Sequence, residues 1–374
     1  MHRVLVLGGY GFFGGRICAA LARNPRVQLW IAGRDQNQAT ALAYQLGIGG
    51  ERALALDARH PQFAARLRKL AIGTVIHTAG PFQGQDYSVA RAAIEARCHY
   101  LDLADDRAFV RGISALDAAA KSAGVAIVSG VSSLPALSSA VVDRYREEFA
   151  RLDVIRIGIS SGALVPGLAT VQAVFGYCGK PVRSLEGGHW TEQPGWLDRE
   201  EHEFPKPVGT RLLGRCDVPD LDLLPARYPG VKTVSFHAGF ASATGHKLVE
   251  WLAERVRDGK LATALPFARA CSIVARWLQP MLSDRGGMYV RLEGLHENGA
   301  PLTLTWHLLA RENHGPNIPC APAIALAGRI AAGTQLPAGA YPCLGLLTVD
   351  DVLEPLKGLG VREYPPPTAG GQRR

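Results

Sequence analysis

The chain lacks any pair of cysteines spaced C-x-x-C. Its seven cysteines, at positions 18, 98, 178, 216, 271, 320 and 343, are odd in number and scattered, so neither a disulfide framework nor a metal site is expected. No stretch reaches about 18 uninterrupted apolar residues, and no transmembrane segment is expected. The nearest stretch, 261–282, contains Pro266, Arg269, Arg276 and Pro280; it reads as an amphipathic helix with a basic stripe, with a membrane-surface anchor as the alternative. An apolar strand starting within a few residues of Met1 leaves no room for a leader, which with the scattered cysteines argues for a cytoplasmic protein. The charge balance is +8, from 41 basic and 33 acidic residues. The basic residues are dispersed and form no run interleaved with aromatics, so a nucleic-acid partner is not expected; the excess suits an anionic cofactor or substrate. Two enzyme signatures are missing as well. The one Tyr-x-x-x-Lys, Tyr228 to Lys232, has Pro229-Gly230 inside it and does not form one helical face. Gly130-Val131-Ser132-Ser133 is not the G-x-S-x-G of a hydrolase elbow. There is no internal repeat.

What is present begins with Val4-Leu5-Val6-Leu7 running into Gly8-Gly9-Tyr10-Gly11-Phe12-Phe13-Gly14-Gly15, followed by helix-forming Arg16 to Ala22. Gly9, Gly11 and Gly14 fit G-x-G-x-x-G between a buried strand and a helix, the arrangement that cradles a dinucleotide pyrophosphate. In that frame Gly9 makes the tight turn, Gly11 admits the phosphates and Gly14 lets the helix close on the strand. Gly9 to Gly14, with Tyr10, Phe12 and Phe13, are therefore candidate cofactor contacts.

Short apolar strands then alternate with helical segments. Strands are expected at 27–32, 53–56, 74–79, 99–103 and 125–128, and helices over 36–46, 61–70, 86–96 and 107–123. This pattern implies right-handed crossovers and a doubly wound parallel sheet of Rossmann type. Ligands of such sheets lie beyond the strands' carboxyl ends, which singles out Arg34, Asp57, 79–82, 102–106 and 129–133. The second strand ends Gly33-Arg34-Asp35. An arginine there suits a 2′-phosphate and an acid a ribose hydroxyl, so NADP is favoured over NAD, with Asp35 as either a ribose reader or a helix cap.

At 374 residues two domains are expected, and beyond about residue 150 the alternation stops. Strands near 154–159, 211–217 and 232–238, a helix over 168–177, and a hairpin joining 288–295 to 301–309 through Asn298-Gly299 indicate an α+β second domain with a mixed or antiparallel sheet. The expected division is a dinucleotide domain at 1–135, a substrate domain at 136–320, C-terminal segments at 321–362, and a disordered tail at 363–374.

These residues resemble the saccharopine dehydrogenase-like NAD(P)-dependent oxidoreductases. The resemblance rests on the glycine loop, Ala32-Gly33-Arg34, His77-Thr78-Ala79-Gly80-Pro81-Phe82, His99-Tyr100-Leu101-Asp102 and Gly130-Val131-Ser132-Ser133-Leu134-Pro135. It covers the first domain well and the second loosely. It implies a catalytic α+β domain, C-terminal segments packing back on the first domain, and the Gly80-Pro81-Phe82 turn beside the nicotinamide, with Ala79 a further candidate cofactor contact. The expected activity is hydride transfer to or from a small carbonyl, imine or amino-acid-like substrate. The alternative is a non-catalytic NAD(P)-binding regulatory or scaffolding protein. Asp102 and His314 are the candidate catalytic residues, with helix capping and an ordinary loop role as their respective alternatives; His77, inside an apolar strand, reads as a core residue. Ser132, Ser133 and Thr170 are candidate substrate contacts, with helix capping as the alternative for Thr170, and a homodimer through the second domain is expected.

Overall fold

A computed structural model describes residues 1–165 and 167–367. The chain divides into two compact units, residues 1–140 with 317–356, and residues 141–316 with the segment from 357 on. In the first unit, strands β1 (His2–Leu7), β2 (Val27–Gly33), β3 (Ala53–Ala55), β4 (Thr74–His77), β5 (His99–Asp102) and β6 (Ala126–Ser129) alternate with helices α1 (Gly14–Leu21), α2 (Gln36–Gln45), α3 (Phe63–Lys69), α4 (Ser88–Glu95), α5 (Arg107–Gly112) and α6 (Asp117–Ala123). The segment expected as one helix over 107–123 is broken by a 3-10 turn at Ile113–Leu116. The sheet order is 3-2-1-4-5-6, and every pairing is parallel.

Both faces of the sheet are covered, which is why its strands are apolar runs and not alternating ones. Leu5, Leu7, Val75, Tyr100 and Ile127 share a core with Phe63, Leu67, Val89, Ala93 and Ala120 from α3, α4 and α6. Val4, Val6, Ile17, Leu21 and Ile31 are buried as well. Each such side chain contributes about 1.5–3 kcal/mol through burial.

The second unit begins within α7 (Ser138–Tyr145). It holds β7 (Arg151–Ser160), α8 (Leu168–Gly176), β8 (Pro181–Glu186), β9 (His189–Pro194), β10 (Glu200–Phe204), β11 (Gly209–Arg215), α9 (Asp220–Arg227), β12 (Thr233–Gly239), α10 (Ala243–Arg257), α11 (Ala268–Leu278), β13 (Gly286–Leu295) and β14 (Pro301–Ala310). β7 pairs with β12 in parallel and with β13 antiparallel, so the sheet is mixed. The β13–β14 hairpin turns at Gly299, whose φ of +81° suits a glycine. The acid-rich β10 pairs antiparallel with β11.

Two C-terminal strands were not legible in advance. After α12 (Ala321–Ala331), β15 (Gly339–Pro342) joins β6 in parallel as a seventh strand of the first sheet. Past α13 (Val349–Leu353), β16 (Val361–Tyr364) pairs antiparallel with β14 in the second sheet. The segment expected to return to the first domain thus divides at residue 356 between the two units. Ordered strand also runs two residues into the stretch expected to be a disordered tail; residues 368–374 of that stretch lie outside the described residues.

Candidate dinucleotide site

Because β1 to β6 are parallel, their carboxyl ends form one edge, and the strand order reverses where β1 lies between β2 and β4. The glycine loop occupies that position. The backbone N–H groups of Gly8 and Gly9 donate to Ala32 O at 2.8 and 3.1 Å, fastening the loop to β2. The residue with positive φ is Gly8, at +81°. The tight turn therefore belongs to Gly8 and not to Gly9, a correction of the expected frame that glycine spacing alone does not supply. Gly9 fits for another reason: a Cβ there would come 2.9 Å from Val6 O and 3.0 Å from Ile31 Cγ2. At Gly14 a Cβ would lie 2.2 Å from Gly8 O, so the close helix–strand contact expected of this glycine is present.

Helix α1 starts with no side-chain cap, leaving its positive end for an anion. Thr78, beyond β4, buttresses the loop by donating to Leu7 O at 2.9 Å. Arg16 donates to Phe12 O and lays its guanidinium 4.4 Å from the Phe12 ring centroid. Sequence reading passed over Gly8, Thr78 and Arg16. A hydroxyl or guanidinium near a G-x-G-x-x-G motif carries no local pattern that marks its partner.

At the end of β2 the two charged neighbours are placed differently. The Asp35 carboxylate accepts from Asn37 N at 2.9 Å and Gln38 N at 3.1 Å, capping α2, and from Gln38 Nε2 at 2.9 Å. That Gln38 side-chain bond holds the carboxyl below its ordinary range. The Asp35 backbone N–H donates to Tyr10 Oη at 2.9 Å, and the Tyr10 ring packs so tightly on Gly33 that a Cβ there would sit 2.4 Å from it. Arg34 stays exposed. Asp57, just past β3, is also exposed and accepts from Arg59 N at 2.9 Å in a local turn.

After β4, Ala79, Gly80 and Pro81 are exposed while Phe82 is buried against His77 and Phe109, with centroids 5.1 and 5.3 Å apart. Gln85 Nε2 ties the turn by donating to Ala79 O and Pro81 O at 3.0 and 2.6 Å. His77 is 2% exposed with Nδ1 3.0 Å from Tyr100 Oη, and burial drives its pKa down to about 4. It is a neutral core residue.

Asp102 is 0% exposed. Its Oδ1 accepts from Ala104 N, Ser129 Oγ and Gly130 N at 3.0, 3.0 and 2.8 Å. Burial raises its pKa to about 6, against the pull of these donors. The carboxylate fastens the end of β5 to that of β6; the cap of α5 is Asp106, which accepts from Phe109 N at 2.7 Å. Gly130, with φ of +74°, turns the chain so closely on Pro135 that a Cβ would lie 2.5 Å from Pro135 Cδ. Ser132 is half-buried and Ser133 buried beyond β6 at the same edge.

His314 and Thr170 belong to the second unit. His314 Nδ1 accepts from Gly360 N at 2.8 Å, so that nitrogen holds the chain leading into β16. Thr170 is the third residue of α8, whose N-cap position is Gly167, so it does not cap the helix. The first unit therefore brings the glycine loop, Arg34, 79–82, Asp102, Ser132 and Ser133 to one sheet edge. Among the described residues no cluster of histidine, cysteine and carboxylate has the makings of a metal site.

Residues 4–128 match the model of the saccharopine dehydrogenase NADP-binding domain family. No curated protein matches the chain. Among solved structures, apo saccharopine dehydrogenase (L-Glu forming) from Saccharomyces cerevisiae is similar with a TM-score of 0.66 and 14% identity, over 97% of this chain and 99% of that one. An amine dehydrogenase from Mycobacterium smegmatis aligns with a TM-score of 0.47 and 14% identity, over 94% of this chain and 95% of that one. At 14% identity the likeness to the yeast structure is one of fold.

Proposed function

We propose that this chain, whose residues 4–128 are an NADP-binding domain of the saccharopine dehydrogenase type, is an oxidoreductase that prefers NADP to NAD. The observation that carries the preference is the division of labour after β2, where Asp35 is committed to capping α2 and Arg34 is exposed. A guanidinium at that position, with no ion pair among the described residues, matches a 2′-phosphate. The Gly8–Gly14 loop and the uncapped start of α1 fit a pyrophosphate, and the exposed 79–81 turn fits the nicotinamide end. When bound, the dinucleotide supplies the hydride chemistry.

The substrate in this reading is a small carbonyl, imine or amino-acid-like molecule. Ser132 and Ser133 offer hydroxyls at the sheet edge of the first unit. Asp102 acts as a positioning residue, holding Gly130 and the loop beyond it through the bonds to Ser129 Oγ and Gly130 N. We further place the protein in the cytoplasm as a homodimer through the second unit, readable by light scattering.

The burial of Asp102 favours one competing reading, a dinucleotide-binding protein without turnover, because the strongest acid candidate at the edge is closed to solvent. Titration with NADPH and NADH, followed by a screen of imine and carbonyl substrates, separates the two. The expected result is tighter NADPH binding, with Arg34→Ala weakening NADPH by about 10–100-fold, the equivalent of a charge-assisted hydrogen bond, and leaving NADH nearly unchanged. Equal weakening of both cofactors sinks the phosphate assignment. NADPH binding with no turnover of any substrate favours the non-catalytic reading.

A further inference from the structure

The second unit carries an apolar surface that the dinucleotide site does not explain. Helix α11 buries Ala268 and Ser272, four residues apart on one face. Its other face shows Ile273, Val274, Trp277 and Leu278 to solvent, and Met281 continues the stripe beyond the helix end. Trp277 is 83% exposed and Met281 82%, which is unusual for side chains of that size. Trp251 on α10 is also exposed, with the Arg255 guanidinium 4.7 Å from its ring centroid.

The charge of the segment that carries the stripe is one-sided. Between Asp258 and Asp284 the chain has no acidic residue, while Lys260, Arg269 and Arg276 lie in that interval. Arg269 and Arg276 are seven residues apart and so flank the stripe on one side of α11. Both are exposed, and neither forms an ion pair among the described residues.

We propose that this face of α11 docks on an anionic phospholipid surface. An exposed tryptophan with aliphatic neighbours and a bordering row of arginines is the composition of a helix that lies in the plane of a membrane interface. Eleven residues amount to about 16 Å of helix, far short of a span, and no helix among the described residues is long and apolar enough to cross a membrane. Anchorage through Ala268 and Ser272 lets the outer face engage lipid without unfolding. A second copy of the chain is the weaker fit, since a two-fold contact along α11 sets arginines against arginines with no carboxylate of the segment to answer them.

The test is flotation of the full chain with vesicles of phosphatidylcholine alone and of phosphatidylcholine containing 30% phosphatidylglycerol. The expected result is at least tenfold more protein floating with the anionic vesicles, reduced by raised salt. Trp277→Ser/Met281→Ser and Arg269→Glu/Arg276→Glu should each abolish flotation. Both should keep the wild-type circular dichroism and NADPH affinity, because none of these residues lies in the dinucleotide site. No flotation of the wild type, equal flotation on phosphatidylcholine alone, or equal flotation of folded variants overturns the proposal. A wild-type dimer in light scattering that Trp277→Ser/Met281→Ser dissociates, without vesicle binding by either protein, overturns it in favour of contact between copies.

Discussion

At the scale of the residue, the glycine loop shows how similar symbols carry different physics. Gly11 is exposed, and a Cβ added there meets only Gly8 O, at 3.0 Å. Gly14 is buried, and its Cβ would lie 2.2 Å from the same carbonyl and 2.8 Å from Thr78 Oγ1. Gly11→Val should therefore fold with a melting temperature within a few degrees of wild type while losing NADPH binding, whereas Gly14→Ala should lose about 1–3 kcal/mol of stability through overpacking. Calorimetric titration and thermal melting of both variants check this; full NADPH affinity in folded Gly11→Val would refute the cradle. Asp102 gives a second residue-scale test. Its folded pKa is raised to about 6 by burial, so the favourable term is complete below the ordinary carboxylate pKa and is lost as pH rises through about 6. His77, depressed to about 4, works in the opposite sense, its contribution being lost as pH falls through the same window. Comparing wild type with Asp102→Asn isolates the carboxyl. Wild type should lose ground to the variant from pH 4 to about 6 by up to about 3 kcal/mol and hold level above pH 7. A pH-independent difference would refute the raised pKa.

At the scale of the element, β1 to β6 were legible because each is a short apolar run set between helical periods, and parallel crossovers follow from that alternation. The Asn298-Gly299 hairpin was legible for an equally local reason. What stayed hidden depends on partners far along the chain. β15 pairs with β6 more than 200 residues away, and nothing in Gly339–Pro342 distinguishes a strand from the turns around it. Similarly, the position of Asp102 at a strand end was readable, but its closure beneath the Gly130 loop was not. The choice between Arg34 and Asp35 lay open in the sequence because either residue type reads the ribose end; that Asp35 caps α2 depends on how the helix starts, and it is what the proposed NADP preference rests on. Asp35→Ala removes that cap and should lower the melting temperature, with NADPH affinity changed by less than about threefold. Thermal melting and titration on one variant suffice. A larger loss of NADH than of NADPH binding would instead make Asp35 the ribose reader.

At the scale of the molecule, the chain visits the first unit, the second, the first again and the second again, and its last two strands serve different sheets. Glu363 in β16 accepts from Trp306 Nε1 at 2.5 Å and pairs with Arg144 at 3.0 Å, both within the second unit. Trp306 is buried. Deleting residues 357–374 therefore leaves an indole N–H without its acceptor, at a cost of about 1–3 kcal/mol, and turns β14 into an edge strand. The glycine loop, Arg34 and the 79–82 turn belong wholly to the first unit, and β15 remains in place. The truncated chain should bind NADPH within about twofold of wild type while the amides of His307 to Ala310 exchange hydrogen much faster and those of β1, β4 and β5 do not. Hydrogen exchange read by strand, with a titration on the same sample, gives the answer. If NADPH binding falls in step with the β14 protection, the dinucleotide site does not stand on the first unit alone, and assigning cofactor recognition to residues 4–128 fails with it.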